Sequence, residues 1–171
     1  MANKYALRPI TGTVKEGFLL YDENENLVYE GQMQKFVLFG AAPFKFVNHI
    51  TGKTEEHKIG KTATVEHSVG VGLVDIMSTK SSFKYDGKKI WDVLHDEGIR
   101  IDSKIAGNKL GMSYDVTLRG EPLATIANSS PKGKSIVTVQ RFYDVTCEEK
   151  DLDLVFLVAM SIAKTEQVFY N

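Results

Sequence analysis

Residues 148–164 read EEKDLDLVFLVAMSIAK, and this stretch decides the fold. Ten of the twelve residues from 152 to 163 are apolar, and only Asp153 and Ser161 interrupt them. An amphipathic surface helix keeps a polar stripe, and this segment keeps almost none. Just before it, Thr146-Cys147-Glu148-Glu149 has the spacing of a capping box, in which a hydroxyl and a carboxylate satisfy orphan N–H groups at a helix start. Glu148, Glu149, Asp151 and Asp153 place negative charge at the positive end of the helix dipole. The spacing predicts a C-terminal helix over 147–167, with a further strand or tail toward Asn171. Twelve apolar residues rise only about 18 Å, too short to span a membrane. Val155, Phe156 and Val158 would also suit a buried strand, but the capping box and the length favour a helix. A helix apolar on all sides is buried on all sides, inside a barrel or between sheets. Leu152, Val155, Phe156, Ala159 and Ile162 are then its core residues.

The rest of the chain supplies the wall. Val, Ile and Thr total 39 of 171 residues, and Phe, Tyr and Trp add 17, whereas Ala numbers only 10. That mix suits half-buried strands. Ile99, Ile101 and Ile105 alternate with Arg100, Asp102 and Lys104; Val65 and Val69 alternate with Glu66 and Ser68; Tyr114, Val116 and Leu118 alternate with Asp115 and Thr117. Turn signals separate these runs, centred on Glu25, Gly52, Asp86-Gly87 and Gly120 at intervals of about 30 residues, in the manner of a repeated hairpin. Some ten to twelve short strands fit before residue 146. At 171 residues and without a linker or low-complexity stretch, the chain reads as a single domain over 1–171.

Net charge is −1, from 21 basic and 22 acidic residues, which argues against a nucleic-acid binder. The single Cys147 excludes an internal disulfide framework, and the N-terminal residues lack the apolar core of a signal peptide, so a cytoplasmic protein is expected. Catalytic and metal motifs are missing. Gly52-Lys53-Thr54, Gly60-Lys61-Thr62 and Gly133-Lys134-Ser135 lack the glycine that a phosphate-cradling loop needs five positions earlier, where Val47, Glu55 and Asn128 stand. His49, His57, His67 and His95 show no metal-ligand spacing. His67, on a strand face with Val65 and Val69, reads as a hydrogen-bonded core or rim histidine. Neighbouring carboxylates such as Glu55 and Glu56 point to opposite faces of a strand and form no acid/base pair. No catalytic residue, metal or cofactor is expected.

Lys80, Lys84, Lys88 and Lys89 surround the Asp86-Gly87 turn, close to Phe83, Tyr85 and Trp91. A positive hairpin tip with aromatics has the chemistry to touch anionic lipid headgroups, although lysines also guard hairpin edges against aggregation. The hairpins YDENENLVYEG (21–31) and YDVTLRGEPLATI (114–126), followed by the acidic entry into an aliphatic helix at 148–164, resemble the LURP-one-related group of the tubby C-terminal-like family. The resemblance implies a closed antiparallel β-barrel around a central hydrophobic C-terminal helix. It also implies a non-enzymatic binding module, with an anionic phospholipid surface as the expected partner. The competing reading is a carrier of a small hydrophobic ligand, an open barrel with the helix lying outside.

Overall fold

The computed structural model describes residues 2–10, 15–60, 83–105, 112–129 and 142–170, without the side chains of 105, 129 and 167–170. Its strands are β1 (Asn3–Ile10), β2 (Gly17–Tyr21), β3 (Leu27–Met33), β4 (Ala42–Asn48), β5 (Thr54–Ile59), β6 (Lys84–Tyr85), β7 (Lys88–Lys89), β8 (Ile99–Ile105), β9 (Met112–Leu118), β10 (Glu121–Ser129) and β11 (Phe142–Cys147). Helix α1 is Ile90–Asp96 and helix α2 is Leu152–Tyr170. The eleven strands form one antiparallel sheet in the order β7-β6-β5-β4-β3-β2-β1-β11-β10-β9-β8. Two meanders are joined where β1 pairs with β11, through Tyr5 opposite Val145 and Leu7 opposite Tyr143. No ladder joins the end strands β7 and β8 among the described residues. Between them in sequence lies α1, which buries Ile90 and Leu94, one turn apart on one face. The hairpin pattern around Asp86-Gly87 gives no sign of this helix, because seven residues carry too little periodicity to stand out.

The turns fall where the sequence punctuates. Asp86-Gly87 and Arg119-Gly120 have positive φ at both residues, 50° and 83° in one and 50° and 82° in the other. That geometry matches the twist of a two-residue hairpin, and glycine adopts it without a Cβ clash. Alternation then sorts each strand into two faces. In β1, Tyr5, Leu7 and Pro9 turn inward while Lys4, Ala6 and Arg8 face solvent.

Helix α2 fills the concave side of this sheet. Leu152, Val155, Phe156, Ala159 and Ile162 are all buried, as are Val158, Met160, Ser161 and Ala163, so burial runs round the helix rather than along one stripe. Its side chains touch strands far apart in the sheet order. Phe156 stacks on Tyr29 of β3 at 4.3 Å and meets Phe46 of β4 edge-on, while Glu166 accepts hydrogen bonds from the hydroxyls of Tyr114 in β9 and Tyr143 in β11. The sheet therefore curves around the helix. Ser161 and Thr165 donate to the carbonyls of Leu157 and Ser161, which lets hydroxyls sit in this interior without stranded donors.

The two ends of the helix differ from expectation. Thr146 and Cys147 do not start it. They are the last residues of β11, with Thr146 opposite both Lys4 and Thr125 in the ladders. A single 3₁₀ turn over Glu149–Asp151 follows, entered at an extended Glu148 with no side-chain cap, and α2 proper begins at Leu152. The sheet has claimed the threonine that the capping box needed. At the other end the helix runs on to Tyr170, so the expected tail is helical. Cys147 is buried, and burial, with the nearby carboxylates of Asp151 and Glu148, pushes its thiol up to about 12. It remains a protonated, inert group at neutral pH.

Gly31 of β3 is fixed by this packing. A Cβ there would lie 2.8 Å from one atom of the Phe46 ring and 3.1 Å from the Phe156 ring. Gly31→Ala should therefore cost about 1–3 kcal/mol by forcing the rings apart, read as a lowered urea midpoint. Val155→Asp and Phe156→Asp should abolish the cooperative thermal transition, because each puts an unpaired charge into the interior. Melting of either close to wild type would contradict the enclosed helix.

Candidate functional site

A groove of about 390 Å³ opens beside the first turns of α2. Its floor is the ring cluster of Tyr29, Phe46 and Phe156, which are 5%, 5% and 1% exposed. One wall is β5 with the β6–β7 hairpin. There the period of a strand places Glu55 and His57 on one face. His57 stacks on Tyr85 at 4.6 Å, with Nδ1 2.6 Å from Asp86 Oδ2 and Nε2 3.2 Å from Glu55 Oε2. Both contacts are hydrogen bonds at once only when both ring nitrogens carry protons. Asp86 reaches back to the same strand, its Oδ1 accepting from the Lys58 backbone N–H at 2.8 Å. Opposite, Asp153 Oδ1 accepts from the Tyr29 hydroxyl at 2.9 Å and from Asn48 Nδ2 at 3.3 Å. Glu97, just past α1, completes the carboxylates of the lining.

The electrostatics follow from these partners. His57, with help from Lys53, holds the Glu55 carboxyl below its ordinary value. Burial pushes Asp86 upward, but the hydrogen bonds from His57 and the Lys58 N–H outweigh it and the net direction is down. Burial raises the Tyr85 phenol, reinforced by Asp86 and Glu55, and burial with the bond to Asp153 raises Tyr29. Neither phenol ionises at physiological pH. Among the described residues the groove is lined by rings, aliphatic side chains, the carboxylates of Glu55, Glu97 and Asp153, and Lys53 and His57. Among the described residues no group of three or more His, Cys, Asp or Glu side chains has the arrangement of a metal site.

The expected lipid-contact lysines divide. Lys84, Lys88 and Lys89 are exposed on the β6–β7 hairpin, with Lys84 directly opposite Lys89. Lys80 lies outside the described residues, as do His67 and the run around Val65 and Val69. The aromatics expected beside these lysines are elsewhere engaged. Phe83 is in the core, and Tyr85 lines the groove against His57. Exposed large apolar side chains occur instead at Ile50 in the β4–β5 turn, 42% exposed, and as a group in the loop 34–41 between β3 and β4, where Phe36, Leu38 and Phe39 are 44%, 61% and 85% exposed. Their signal in the sequence was an apolar run, Phe36-Val37-Leu38-Phe39, between Lys35 and Gly40 with no alternation. The groove could have been found from the i, i+2 spacing of Glu55 and His57, but its other half comes from residues about a hundred positions away. Among the described residues no helix is long and apolar enough to cross a membrane. No family model, no curated protein and no solved structure matches the chain.

The carboxylates around His57 fix the sign of a pH effect. A carboxyl whose folded value is depressed contributes stability that is fully present above its unfolded value, near 4, and is lost as pH falls through the folded value. Urea midpoints of wild type and Asp86→Asn should therefore differ at pH 5 and converge toward pH 2, wild type being the more stable where they differ. A constant gap across that range would mean that the Asp86–His57 contact carries no charge.

Proposed function

We propose that the protein is a non-enzymatic binding module that contacts anionic membrane surfaces in the cytoplasm. In this reading the sheet, with α1 lying between its end strands, works as a closed barrel of the LURP-one-related, tubby C-terminal-like kind. The all-round burial of α2 supports that architecture. It also weighs against a carrier, because the helix occupies the interior that a hydrophobic cargo would need.

The observation that carries the surface reading is that exposed apolar side chains and exposed lysines share one end of the sheet. Loop 34–41 leads into β4 at Ala42, Ala42 is opposite Ile59, and Ile59 is opposite Tyr85. The Gly60 N–H donates to the Lys84 carbonyl at 2.8 Å, so Lys84 and its partner Lys89 lie toward the same end as Phe36, Leu38 and Phe39. Lys84, Lys88 and Lys89 have no ion-pair partner among the described residues. Two phenylalanines and a leucine on a surface loop are costly in water and gain by entering the acyl boundary, while flanking lysines gain from anionic headgroups.

Co-sedimentation with vesicles tests this. The protein should bind vesicles containing phosphatidylserine and not vesicles of phosphatidylcholine alone. Lys84→Ala/Lys89→Ala should weaken partition by roughly 30-fold, at about 1 kcal/mol per cation. Phe36→Ser/Phe39→Ser should weaken it at least as much, since each ring is worth about 1.5–3 kcal/mol on transfer. Equal, negligible binding to both vesicle types would remove the proposal.

A further inference from the structure

We propose that the groove at the start of α2 binds a small organic cation, an alkyl-ammonium group with apolar substituents, held between the aromatic floor and the carboxylates of Asp153 and Glu97. The argument starts from charge. Four ionisable groups on or beside the wall are already paired with one another: Lys53 with Glu55 at 3.3 Å, and His57 with both Glu55 and Asp86. Asp153 and Glu97 have no ion-pair partner among the described residues. The donors on Asp153 are Tyr29 and Asn48, both neutral and both on Oδ1, which leaves its charge uncompensated and its second oxygen available.

The shape and the lining select the class of cation. About 390 Å³ lies within the range of small-ligand pockets, roughly 300–1,000 Å³. Beside the aromatics the lining has aliphatic Leu154, Leu157 and Val93, and its charged groups, three carboxylates against Lys53, leave a negative balance. A hydrated metal ion gains little from such a lining. Methyl or methylene groups on an ammonium pack against it, and the negative faces of aromatic rings attract the positive charge. The groove shares the β6–β7 hairpin through Tyr85, but the cation proposal does not depend on the membrane reading, since it rests on Asp153 and Glu97 rather than on Lys84 or Lys89.

The test is an NMR titration of the full chain with choline and with its neutral carbon isostere, dimethylbutanol. Choline should shift the signals of His57, Tyr85 and Val93 along one saturable curve, and the isostere should bind at least fivefold more weakly. The double variant Asp153→Asn/Glu97→Gln should lose the same factor for choline while leaving the isostere unchanged. No saturable shift with choline, or equal affinity for choline and the isostere, would overturn the proposal. The isostere comparison uses the wild-type chain alone, so it decides the matter even where the double variant fails to fold.

Discussion

A helix that is apolar on every face can exist in water only if something covers every face, and the rest of this structure follows from that demand. Burying side chains such as Val155, Phe156 and Ile162 is worth about 1.5–3 kcal/mol each. A flat sheet could cover only one side, so the strands must curve until both halves of the sheet reach α2. The polar atoms on the helix then become the points that set its position. Asp153 is held by Tyr29 and Asn48 from one half of the sheet, and Glu166 by Tyr114 and Tyr143 from the other. Lys164, 7% exposed, donates to Glu16 at 2.7 Å and sits over the Phe83 ring. Asp153 is exposed, but Lys164 and Glu166 are buried, and a buried charge left without such partners costs several kcal/mol, so their contacts penalise every other rotation or register of the helix.

A filled interior moves recognition to the rims and the outer surface. The two ends of the sheet carry different chemistry. One has lysines and an apolar loop, the other has rings and carboxylates around the entry of the helix. Their separation is a consequence of antiparallel topology: the β3–β4 loop and the β4–β5 turn must leave β4 at opposite ends. A single small domain can thus keep its exposed apolar loop and its groove of rings and carboxylates apart.

Much of this was written locally in the chain. The strands at 99–105 and 114–118, the hairpin turns at Asp86-Gly87 and Arg119-Gly120, and the burial of Leu152, Val155, Phe156, Ala159 and Ile162 all depend on neighbours within a few residues, and periodicity reports such neighbours well. What stayed hidden depends on distant partners. Thr146 looks like a helix cap until β1 and β10 pair with it on both sides. Lys164 and Glu166 look like a polar helix end until Glu16 and two tyrosines appear beside them. Phe83 looks like a surface aromatic because it adjoins lysines, yet it is fully buried. The groove needed β3, β5, α1 and α2 at once, and no window of sequence contains all four.

The lengths of the elements explain why those anchors work as a pair. Asp153 and Glu166 are thirteen residues apart, which is about 20 Å along a helix at 1.5 Å per residue. A strand of six or seven residues at about 3.3 Å per residue covers the same distance. Tyr29 and Asn48, which hold Asp153, face each other, and the ladders carry that row through Leu20 and Leu7 to Tyr143, which holds Glu166. One row of a sheet can meet two points about 20 Å apart on the helix only where the strands are tilted to the helix axis, and between the two carboxylates the polar side chains are Lys164, held by Glu16, and hydroxyls that bond to the helix's own backbone. A helix shorter by one turn, about 5.4 Å, would leave one set of tyrosine or asparagine partners facing apolar surface. The spacing of the two anchored carboxylates along the helix is thus what allows a nearly all-apolar segment to have one position along its axis rather than several.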